Sequence, residues 1–490
     1  MKNPRTKIVL VWLKCDLRWY DHAPLKAAIE SGYPVLLFYC FEPSLLVDQH
    51  TSARHWNFIS ESLDDFDHFL TSLDTKILRA HSEVIEALTE LLVEFDIQQV
   101  FSYQETGIKL TYDRDRAVSA FLRQRAITWT EFCSNGVERG LTHRLGWRER
   151  WEAFMAEPIS VIDWNNAVLL PCKVVDSLPV ARKLNLPIDD TTGRQKGGRL
   201  VGLKYLKSFL THRYSQYNRN ISKPEAARFS CSRLSPYIAY GCLSIREIMQ
   251  ASESVVGSKR AIGSFRSRLR WQAHFIQKFE MEDRIEFEPV NRGYLSLEKP
   301  INTEFLEAWK MGQTGVPLVD ASMRCLQQTG YVNFRMRALL VSFATHHLWL
   351  PWQVISSHLA QLFLDFEPGI HYPQLQMQAG ETGINQIRIY NPLTNSLKHD
   401  PDAIFLRKWL PELAHLPTPF VHQPELLTPI DEVFFDFNRG VDYPEPIIDV
   451  DRARRAAGDR LYALQKELAV QNESKRVIAT HTLSNRNPFK

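Results

Sequence analysis

Long hydrophobic runs are absent from this sequence: no stretch approaches the roughly 20 apolar residues of a membrane-spanning helix. The first residues, Met1–Arg5, lead toward a strand and not into the apolar segment of a signal peptide. Charge of one sign is also scarce, since the net charge is only +3 over 490 residues. The composition therefore predicts a cytoplasmic protein without a membrane partner, and any contact with nucleic acid must depend on local basic patches.

Cysteine is sparse and shows no pairing pattern. The seven cysteines occur without any CxxC spacing, and none follows Cys325. This distribution favours reduced thiols, as in cytoplasmic proteins, and it excludes a cluster of thiolates in the C-terminal third of the chain. No metal site is predicted.

The dinucleotide fingerprint GxGxxG is missing after the first predicted strand, which is followed instead by the run Lys14-Cys15-Asp16-Leu17-Arg18. Short β-rich runs alternate with helical patterns over Ser52–Leu73 and Ser82–Phe95. This alternation predicts an α/β domain with a parallel, Rossmann-like sheet over residues 1–135. The predicted strands are Ile8–Leu13, Val35–Tyr39, Lys76–Ala80, Gln99–Tyr103 and Thr128–Phe132.

Periodicity is lost over residues 136–195, which contain four prolines and are predicted to form a connector between domains. Nearly every segment from about 196 to 415 has a helical pattern, and one more helix follows near the C-terminus, which predicts an all-helical second domain over residues 196–472. A polar, mobile tail is expected over residues 473–490. The predicted helices include Leu200–Arg213, Ile245–Ser252, Ala261–Phe279, Val319–Gln328, Phe334–Leu348 and a final one over Asp449–Gln471.

Hydroxyl side chains and an arginine are grouped in the run Cys231–Tyr237, at a turn that opens a helical region. Hydroxyls, backbone N–H groups and a guanidinium at such a turn suit the binding of a diphosphate. The run therefore suggests a bound nucleotide cofactor. The alternative is that its serines only cap helices.

Several motifs in a fixed order resemble those of the photolyase/cryptochrome family, and the resemblance covers about residues 7–465. In the first half it is carried by Asp16-Leu17-Arg18 and the nearby Asp21–Leu25. In the helical half it is carried by Gly312–Ala321, Arg388-Ile389-Tyr390-Asn391-Pro392 and Trp409–Leu413.

The resemblance implies a non-covalent FAD, bent into a U inside the helical domain. Where the family usually has threonine this chain has Cys231, so one hydrogen bond to the diphosphate is expected to be lost or replaced. Arg337 and Asp365 would form an ion pair beside the flavin ring, and His371 would face flavin N5, donating a hydrogen bond or carrying a proton. The alternatives are a solvated surface pair and a structural histidine. The implied cofactor-binding residues are Tyr217, Cys231, Ser232, Arg233, Leu234, Ser235, Arg337, Asp365, Phe366, Glu367 and His371.

The family's electron-supply chain of three tryptophans is incomplete here. Trp352 matches the middle position, but the inner position holds Leu375 and the outer holds Lys299. Electron hopping needs an oxidisable aromatic at each step, so the chain would reduce FAD by another route or poorly. The candidate substitutes are Tyr372, Tyr390, Trp349 and Trp309, and the alternative for each, favoured for any single ring, is core packing.

The lesion pocket implied by the resemblance departs from the family pattern. Trp271 retains a ring on which a flipped dimer would stack, and Arg335 retains a basic contact. Family enzymes acting on cyclobutane dimers have glutamate at 268, asparagine at 334, methionine at 338 and tryptophan at 377. This chain has Arg268, Phe334, Ala338 and Met377, and the paired histidines of (6-4) photolyases have no counterpart. The implied catalytic residues are Trp271, Arg335, Trp352 and His371; the implied DNA-binding residues are Arg268, Trp271, Gln272, Phe334, Arg335, Met377 and Asn395.

The leading hypothesis from the resemblance is a blue-light DNA photolyase acting on damaged DNA, whereas the altered lesion pocket favours a cryptochrome. Arginines 266, 268 and 270 would grip phosphates at the pocket mouth or form a solvated face. The first alternative is a cryptochrome that signals to a protein partner without repair, and a weaker one is a flavin-containing nucleic-acid-binding protein. An antenna chromophore of unknown identity is possible where Tyr103-Gln104-Glu105 ends a strand, with Glu105 as a candidate contact.

Overall fold

The structure is a computed structural model that describes residues 5–180, 186–189 and 191–482. Its N-terminal part is a five-stranded parallel sheet with strand order β3-β2-β1-β4-β5. The central strand reads as one continuous apolar run, as expected of a strand covered on both faces. The strands are β1 (Thr6–Leu13), β2 (Val35–Cys40), β3 (Leu78–Ala80), β4 (Phe95–Tyr103) and β5 (Thr128–Phe132).

Helices connect and cover these strands, so the predicted α/β domain and all five of its strands are confirmed. The longest of the five helices begins after Ser52, which forms a capping box with His55. The helices of this part are α1 (Ala23–Glu30), α2 (Pro43–Leu46), α3 (Ala53–Leu70), α4 (Val84–Glu94) and α5 (Lys109–Arg123).

The predicted connector contains more regular structure than its prolines indicated. It forms α6 (Trp147–Ala156) and α7 (Cys172–Ser177), and Leu169 makes a bridge to Val35 of β2. Trp147 and Trp151 are fully buried, so α6 is fixed by apolar packing that the short pattern did not reveal. Residues 181–185 and 190 of this segment lie outside the described residues.

The second half is helical, as predicted. Helix α16 is shorter than expected, because the predicted Phe334–Leu348 helix changes to a π-turn over Phe343–His347. The helices are α8 (Arg199–Thr211), α9 (Tyr217–Asn220), α10 (Ala226–Ser230), α11 (Ser235–Ala239), α12 (Ile245–Glu253), α13 (Lys259–Met281), α14 (Thr303–Met311), α15 (Pro317–Thr329), α16 (Phe334–Ser342), α17 (Trp352–Leu362), α18 (Pro368–Gln378), α19 (Pro392–His399), α20 (Ile404–Trp409), α21 (Thr418–His422), α22 (Pro429–Phe435), α23 (Val450–Leu464) and α24 (Leu468–His481).

The C-terminal prediction was wrong in its boundaries. The single helix expected over Asp449–Gln471 is two helices, α23 and α24, and α24 continues to His481 through residues expected to form a tail. Val470 and Val477 are buried, and this apolar face holds α24 on the domain. Residues 483–490 of the expected tail lie outside the described residues.

The two parts meet at the motif that follows β1. The Leu17 N–H donates to the carbonyl of Tyr240 at 3.1 Å, and Arg18 Nη1 donates to the carbonyl of Gly241 at 3.0 Å. Gly241 has a φ of +64°, and a Cβ there would lie 2.1 Å from the carbonyl oxygen of Cys15. Only glycine permits this close approach, so the motif joins the sheet directly to the loop after α11.

Close packing of α18 on α13 sets the position of the candidate site. A Cβ added to Gly369 of α18 would lie 2.8 Å from Cα of Ile276 in α13, so glycine allows the two helices to touch. None of the seven cysteines forms a disulfide. Across the described ranges, no helix is both long and apolar enough to cross a membrane.

Candidate functional site

The loop before α11 leaves several hydrogen-bond donors without acceptors. Arg233 has a φ of +59°, which is uncommon for a residue with a side chain. Within the described part of the chain, the N–H groups of residues 232–235 donate to no acceptor, and the hydroxyls of Ser232 and Ser235 have no partner. Free N–H groups in succession, flanked by hydroxyls, form a concave site for an anion. We call residues 232–235 the anion loop.

Leu234 of the anion loop and Cys231, which precedes the loop, carry no charge. Leu234 is fully buried. Burial raises the pKa of the Cys231 thiol to about 11, so at neutral pH this thiol carries no charge that would repel an anion. Arg213 donates to the carbonyl oxygens of Cys231 and Ser232, which turns these carbonyls away from the open side of the loop.

A cationic cluster continues from the anion loop toward α16. The Arg233 guanidinium lies 3.7 Å from the ring centroid of Tyr331, and its Nε donates to Oε1 of Gln195 at 3.1 Å. One terminal nitrogen of Arg337 donates to both carboxylate oxygens of Asp365 at 2.9 Å. The side chain of Asp365 is 8% exposed and that of Arg337 is 24% exposed, so this pair is largely buried and not the solvated surface pair considered above.

Tyr217 links the anion loop to α13. Its ring is buried in edge contacts with Phe209 and Phe265, and its hydroxyl contacts the side chain of Arg268. Burial raises the pKa of Tyr217 to about 12. The neutral hydroxyl can therefore donate a hydrogen bond to an anion held at the loop.

His371 lies on α18 in a ring of aromatic side chains. Its Nε2 is 3.0 Å from the carbonyl oxygen of Ser356, and its ring contacts those of Phe363, Phe366 and Tyr372. Burial lowers the pKa of His371 to about 3, so the ring is neutral. Because a carbonyl only accepts, Nε2 carries the proton and Nδ1 is an acceptor. The two roles expected for His371 were hydrogen-bond donation to flavin N5 and proton carriage, and in this tautomer Nδ1 has no proton for either.

A cavity of about 180 Å³ opens between the carboxyl ends of β1, β2 and β4 and the helical part. Glu367 lines it, and burial, with a contribution from Glu105, raises the pKa of Glu367 to about 8. Arg114 donates to Glu42 at 2.8 Å and to Glu105 at 2.5 Å. Despite this pairing, burial raises the pKa of Glu42 to about 7. The lining residues include Trp12, Lys14, Cys15, Tyr39, Glu42, His50, Tyr103, Glu105, Arg114, Tyr240, Phe366 and Glu367.

The positions of the expected electron chain are buried, but only one holds an oxidisable ring. Trp352 is fully buried, and its ring centroid is 6.1 Å from that of Tyr372. Leu375 is packed in the core. Lys299 forms an ion pair with Glu381, with Nζ 2.8 Å from Oε1. A tryptophan chain through positions 375 and 299 is therefore impossible in this protein.

Aromatic rings and an unneutralised arginine are exposed on the helices around α18. Trp271 of α13 is 40% exposed and Phe334 of α16 is 46% exposed; both helices pack against α18. Arg266 and Arg270 form ion pairs with Glu253 and Glu152. Arg268, on a different side of α13, has no carboxylate partner in the residues described. The three arginines thus do not share one face of α13, and of the three only Arg268 is left without a neutralising carboxylate in the described ranges.

The remaining expected DNA contacts differ in how available they are. Arg335 is half-buried, with its guanidinium 5.7 Å from the ring centroid of Tyr390. Gln272 and Met377 are half-buried. The Asn395 amide already donates to the carbonyl of Asn391 at 2.8 Å within α19, so Asn395 would have to break a bond to contact DNA.

The residues present fit a flavin dinucleotide on structural grounds. The anion loop offers unpaired N–H and hydroxyl donors to a diphosphate, and Tyr217 adds a neutral hydroxyl beside it. The Arg337–Asp365 pair supplies a buried positive charge whose partner is in place. This donor set matches a ligand that has a diphosphate at one end and a ring able to carry negative charge at the other.

Sequence reasoning missed several residues that complete this site. Tyr331 and Gln195 hold the Arg233 guanidinium, and His50 approaches α18 from the other domain. The partners of Arg233 come from segments 38 and 98 residues away in the numbering, and His50 comes from 322 residues away. No local pattern signals such contacts, since only the tertiary fold brings them together.

Comparisons with known proteins identify the family of the chain. A family model described as the FAD binding domain of DNA photolyase matches residues 265–463, and one described as DNA photolyase matches residues 9–137. A cryptochrome DASH from Gloeobacter violaceus is 30% identical over 93% of this chain and 96% of its own length. A deoxyribodipyrimidine photo-lyase from Alkalihalophilus pseudofirmus is 26% identical over 91% of this chain and 96% of its own length.

Solved structures show the same fold. A cryptochrome from Synechocystis aligns with a TM-score of 0.83 at 23% identity, covering 94% of this chain and all of its own. An archaeal photolyase from Sulfolobus tokodaii, described with two FAD molecules, aligns with a TM-score of 0.77 at 22% identity, covering 94% of this chain and all of its own. Relatives named photolyase and relatives named cryptochrome thus both match almost the whole length. The chain belongs to the photolyase/cryptochrome family and is an FAD protein of that family.

Proposed function

We propose that this chain is a blue-light-dependent DNA photolyase that splits UV-induced pyrimidine dimers. The observation that carries the proposal is the exposure of two large aromatic rings on helices that pack against α18. Trp271 is 40% exposed and Phe334 is 46% exposed, and Arg268 adds a cation with no carboxylate partner in the described ranges. An exposed ring one turn from an unneutralised cation, as Trp271 is from Arg268 on α13, suits a base extruded from a duplex, because the base stacks while its phosphate is neutralised.

When bound, FAD would supply light-driven one-electron chemistry toward the dimer. The chain's own residues would do the positioning. The anion loop would hold the diphosphate, and Arg337, fixed by Asp365, would place positive charge beside the flavin ring. Trp271 provides a stacking surface, while Arg268 and Arg335 contact phosphates.

The experiment is a repair assay on defined lesions. Reduced, FAD-containing protein is illuminated with DNA that carries either a cyclobutane dimer or a (6-4) lesion, and loss of each lesion is measured against a dark control. We expect light-dependent loss of one lesion type. If neither lesion is lost and damaged DNA binds no better than undamaged DNA, the photolyase proposal fails. Tighter binding of damaged DNA without loss would instead support a flavin-containing nucleic-acid-binding protein.

A cryptochrome-type photoreceptor is the second candidate, favoured by an exposed apolar patch on and near α22. Four apolar side chains are 79–85% exposed there: Ile430, Val433, Phe434 and Val441. Apolar side chains of this size are usually buried, and an exposed apolar patch is typical of a protein interaction site. A photoreceptor without repair would show flavin photoreduction and a light-dependent change in amide hydrogen exchange, with both lesions intact. That combination distinguishes the two functions.

We also propose that the cavity at the carboxyl ends of the sheet strands holds an antenna chromophore. Ligands of open parallel sheets bind at this edge, and Trp12, Tyr103 and the Glu105–Arg114 pair offer stacking and hydrogen-bonding groups there. The test is to release small molecules from purified protein with acid and to separate them. A second chromophore in addition to FAD, absent from a Glu105→Ala variant that retains FAD, supports the site. FAD alone in the wild type, also after reconstitution with candidate chromophores, contradicts it.

A further inference from the structure

Three side chains from the two halves of the chain form a hydrogen-bonded line. The Tyr372 hydroxyl of α18 is 2.5 Å from Nε2 of His50, and Nδ1 of His50 is 2.6 Å from a carboxylate oxygen of Asp48. Tyr372 and His50 are each 2% exposed. Asp48 also accepts from the backbone N–H of His50 at 2.9 Å. His50 and Asp48 lie in the loop between α2 and α3, so this line crosses the domain boundary.

The hydrogen-bond partners determine where the protons lie. An ionised carboxylate only accepts, so Nδ1 of His50 carries the ring proton and Nε2 is left as the acceptor for the phenol. Burial opposes ionisation of Asp48, but the hydrogen bonds from His50 hold the pKa of Asp48 below its usual value. Glu286 and His371 are the other titratable groups that face His50. The imidazole of His50, which is paired with the Asp48 carboxylate, therefore accepts a hydrogen bond from the Tyr372 hydroxyl.

Tyr372 also lies in a continuous series of ring contacts. Its centroid is 6.1 Å from Trp352 and 5.3 Å from His371. His371 is 5.2 Å from Phe366 and 6.3 Å from Phe363. The guanidinium of Arg337, which pairs with Asp365, lies 4.2 Å from the Phe363 ring. The series thus runs from Trp352 through Tyr372 to the ion pair assigned to the flavin ring.

Among these rings only Tyr372 has a base positioned to take its proton. Nε1 of Trp352 has no hydrogen-bond partner in the described part of the chain, so oxidation of that indole would leave a buried charge uncompensated. Beyond Trp352, the outer position of the family's chain holds Lys299, which is not oxidisable. If the phenol proton moves to His50 as the electron leaves, the positive charge lies on an imidazolium paired with Asp48, and a buried tyrosine radical cation is avoided.

We propose that Tyr372 is the electron donor for photoreduction in this protein and that His50 is its proton acceptor. The phenol gives one electron to the photoexcited oxidised flavin, its O–H bond breaks, and an N–H bond forms at Nε2 of His50. The products on the protein side are a neutral tyrosyl radical and an imidazolium paired with the Asp48 carboxylate. The inference rests on the proposed use of FAD and is independent of whether lesions are repaired.

The experiment measures photoreduction and radicals in FAD-containing protein without DNA. Wild type, Tyr372→Phe and His50→Gln are illuminated anaerobically, in water and in deuterium oxide, and radicals are trapped for electron paramagnetic resonance. Glutamine keeps hydrogen bonds to Tyr372 and Asp48 but cannot take up a proton, so a purely structural role of His50 would survive this change. Tyr294→Phe is the matched control, since Tyr294 is buried but contacts no histidine in the described residues.

We expect a tyrosyl radical in wild type, identified by its altered splitting in protein labelled with deuterated tyrosine, and slower photoreduction in deuterium oxide. Tyr372→Phe should abolish the radical and slow photoreduction at least about tenfold. His50→Gln should lower the radical yield by a similar factor and remove the solvent isotope effect, with FAD retained. Photoreduction of Tyr372→Phe within about twofold of wild type, or a radical that persists in that variant, would overturn the proposal.

A readout that needs no flavin chemistry tests the proton arrangement directly. Nitrogen-15 resonances of the His50 ring should show a protonated Nδ1 and an unprotonated Nε2, and Tyr372→Phe should shift the Nε2 resonance while Tyr294→Phe leaves it unchanged. A protonated Nε2 would contradict the proton route even if FAD binds. Failure of the protein to bind FAD would overturn both this inference and the proposed function, whereas binding without lesion loss would leave this inference intact.

Discussion

Lys299 and Glu381 form an ion pair inside the helical half, with Nζ 2.8 Å from Oε1 and side chains only 2% and 6% exposed. The Lys299 ammonium also lies 5.0 Å from the ring centroid of Trp349. The sequence resemblance predicts the outer tryptophan of the family's electron chain at position 299, where this protein has the lysine of the pair. A charge replaces an oxidisable ring there, and the charge is neutralised locally.

Removing one partner of this pair should destabilise the fold strongly. Glu381→Gln leaves the buried ammonium without its counter-charge, and we expect a loss of about 3–5 kcal/mol in the free energy of unfolding. Urea unfolding followed by circular dichroism measures it. Glu30→Gln removes one partner of the exposed Lys26–Glu30 pair and should cost less than about 1 kcal/mol. Equal losses in the two variants would show that Lys299 is solvated in solution.

The anion loop should contribute to FAD affinity through its two free hydroxyls. The double variant Ser232→Ala, Ser235→Ala removes both hydroxyl donors and leaves the backbone N–H groups in place. A hydrogen bond to a charged group contributes about 1.5–3 kcal/mol, so we expect the affinity for FAD to fall by at least about tenfold. Fluorescence of released FAD in equilibrium dialysis measures the change. Ser72→Ala alters an exposed serine and should leave affinity unchanged. An undiminished affinity of the double variant would place the diphosphate elsewhere.

The sequence predicted the fold because the fold follows from local patterns. The alternation of strand and helix patterns predicted the parallel sheet, and apolar periodicity predicted the helical half. The predicted ends of α13 and α15 lie within a few residues of the observed ones. Where the pattern was short or interrupted, prediction was wrong: α6 is held by burial of Trp147 and Trp151, and α24 by a narrow apolar face. Such helices owe their stability to tertiary packing and not to their own sequence.

The site could be predicted only where a motif lies within one segment. The anion loop is a single run of residues, so its donors were visible in the sequence. Tyr331, Gln195 and His50 reach the site from distant segments, and their roles follow from contacts that no local spacing encodes. The tautomer of His371 also depends on a carbonyl of α17, which only the folded chain shows.

Glu367 should make stability depend on pH. Burial raises the pKa of Glu367 to about 8 from an ordinary value of 4.5, so the folded chain retains a proton that the unfolded chain releases. Folding therefore becomes less favourable as pH rises from 4.5 to about 8. Glu367→Gln removes this penalty, so the variant should gain melting temperature relative to wild type as pH increases over that interval.

The measurement is a series of thermal unfolding curves at matched ionic strength, with Glu94→Gln as a control that removes one exposed carboxylate. The difference between Glu367→Gln and wild type should be smallest at the acidic end and grow toward alkaline pH. A difference that is constant with pH would mean that Glu367 is ionised in the folded protein at neutral pH, and its place in the wall of the cavity would then need a cationic partner.

Trp271 should matter for damaged DNA more than for undamaged DNA. Trp271→Ala removes the exposed stacking ring of α13 and leaves Arg268 in place. Binding of a lesion-containing duplex should therefore weaken by about 1–3 kcal/mol. Binding of an undamaged duplex depends on phosphate contacts and should change little. Fluorescence anisotropy with both duplexes measures the two affinities, and Phe434→Ala, which removes an exposed ring on α22, is the control. Equal weakening on both duplexes would assign Trp271 to the general DNA surface, and no weakening on either would remove it from the interface.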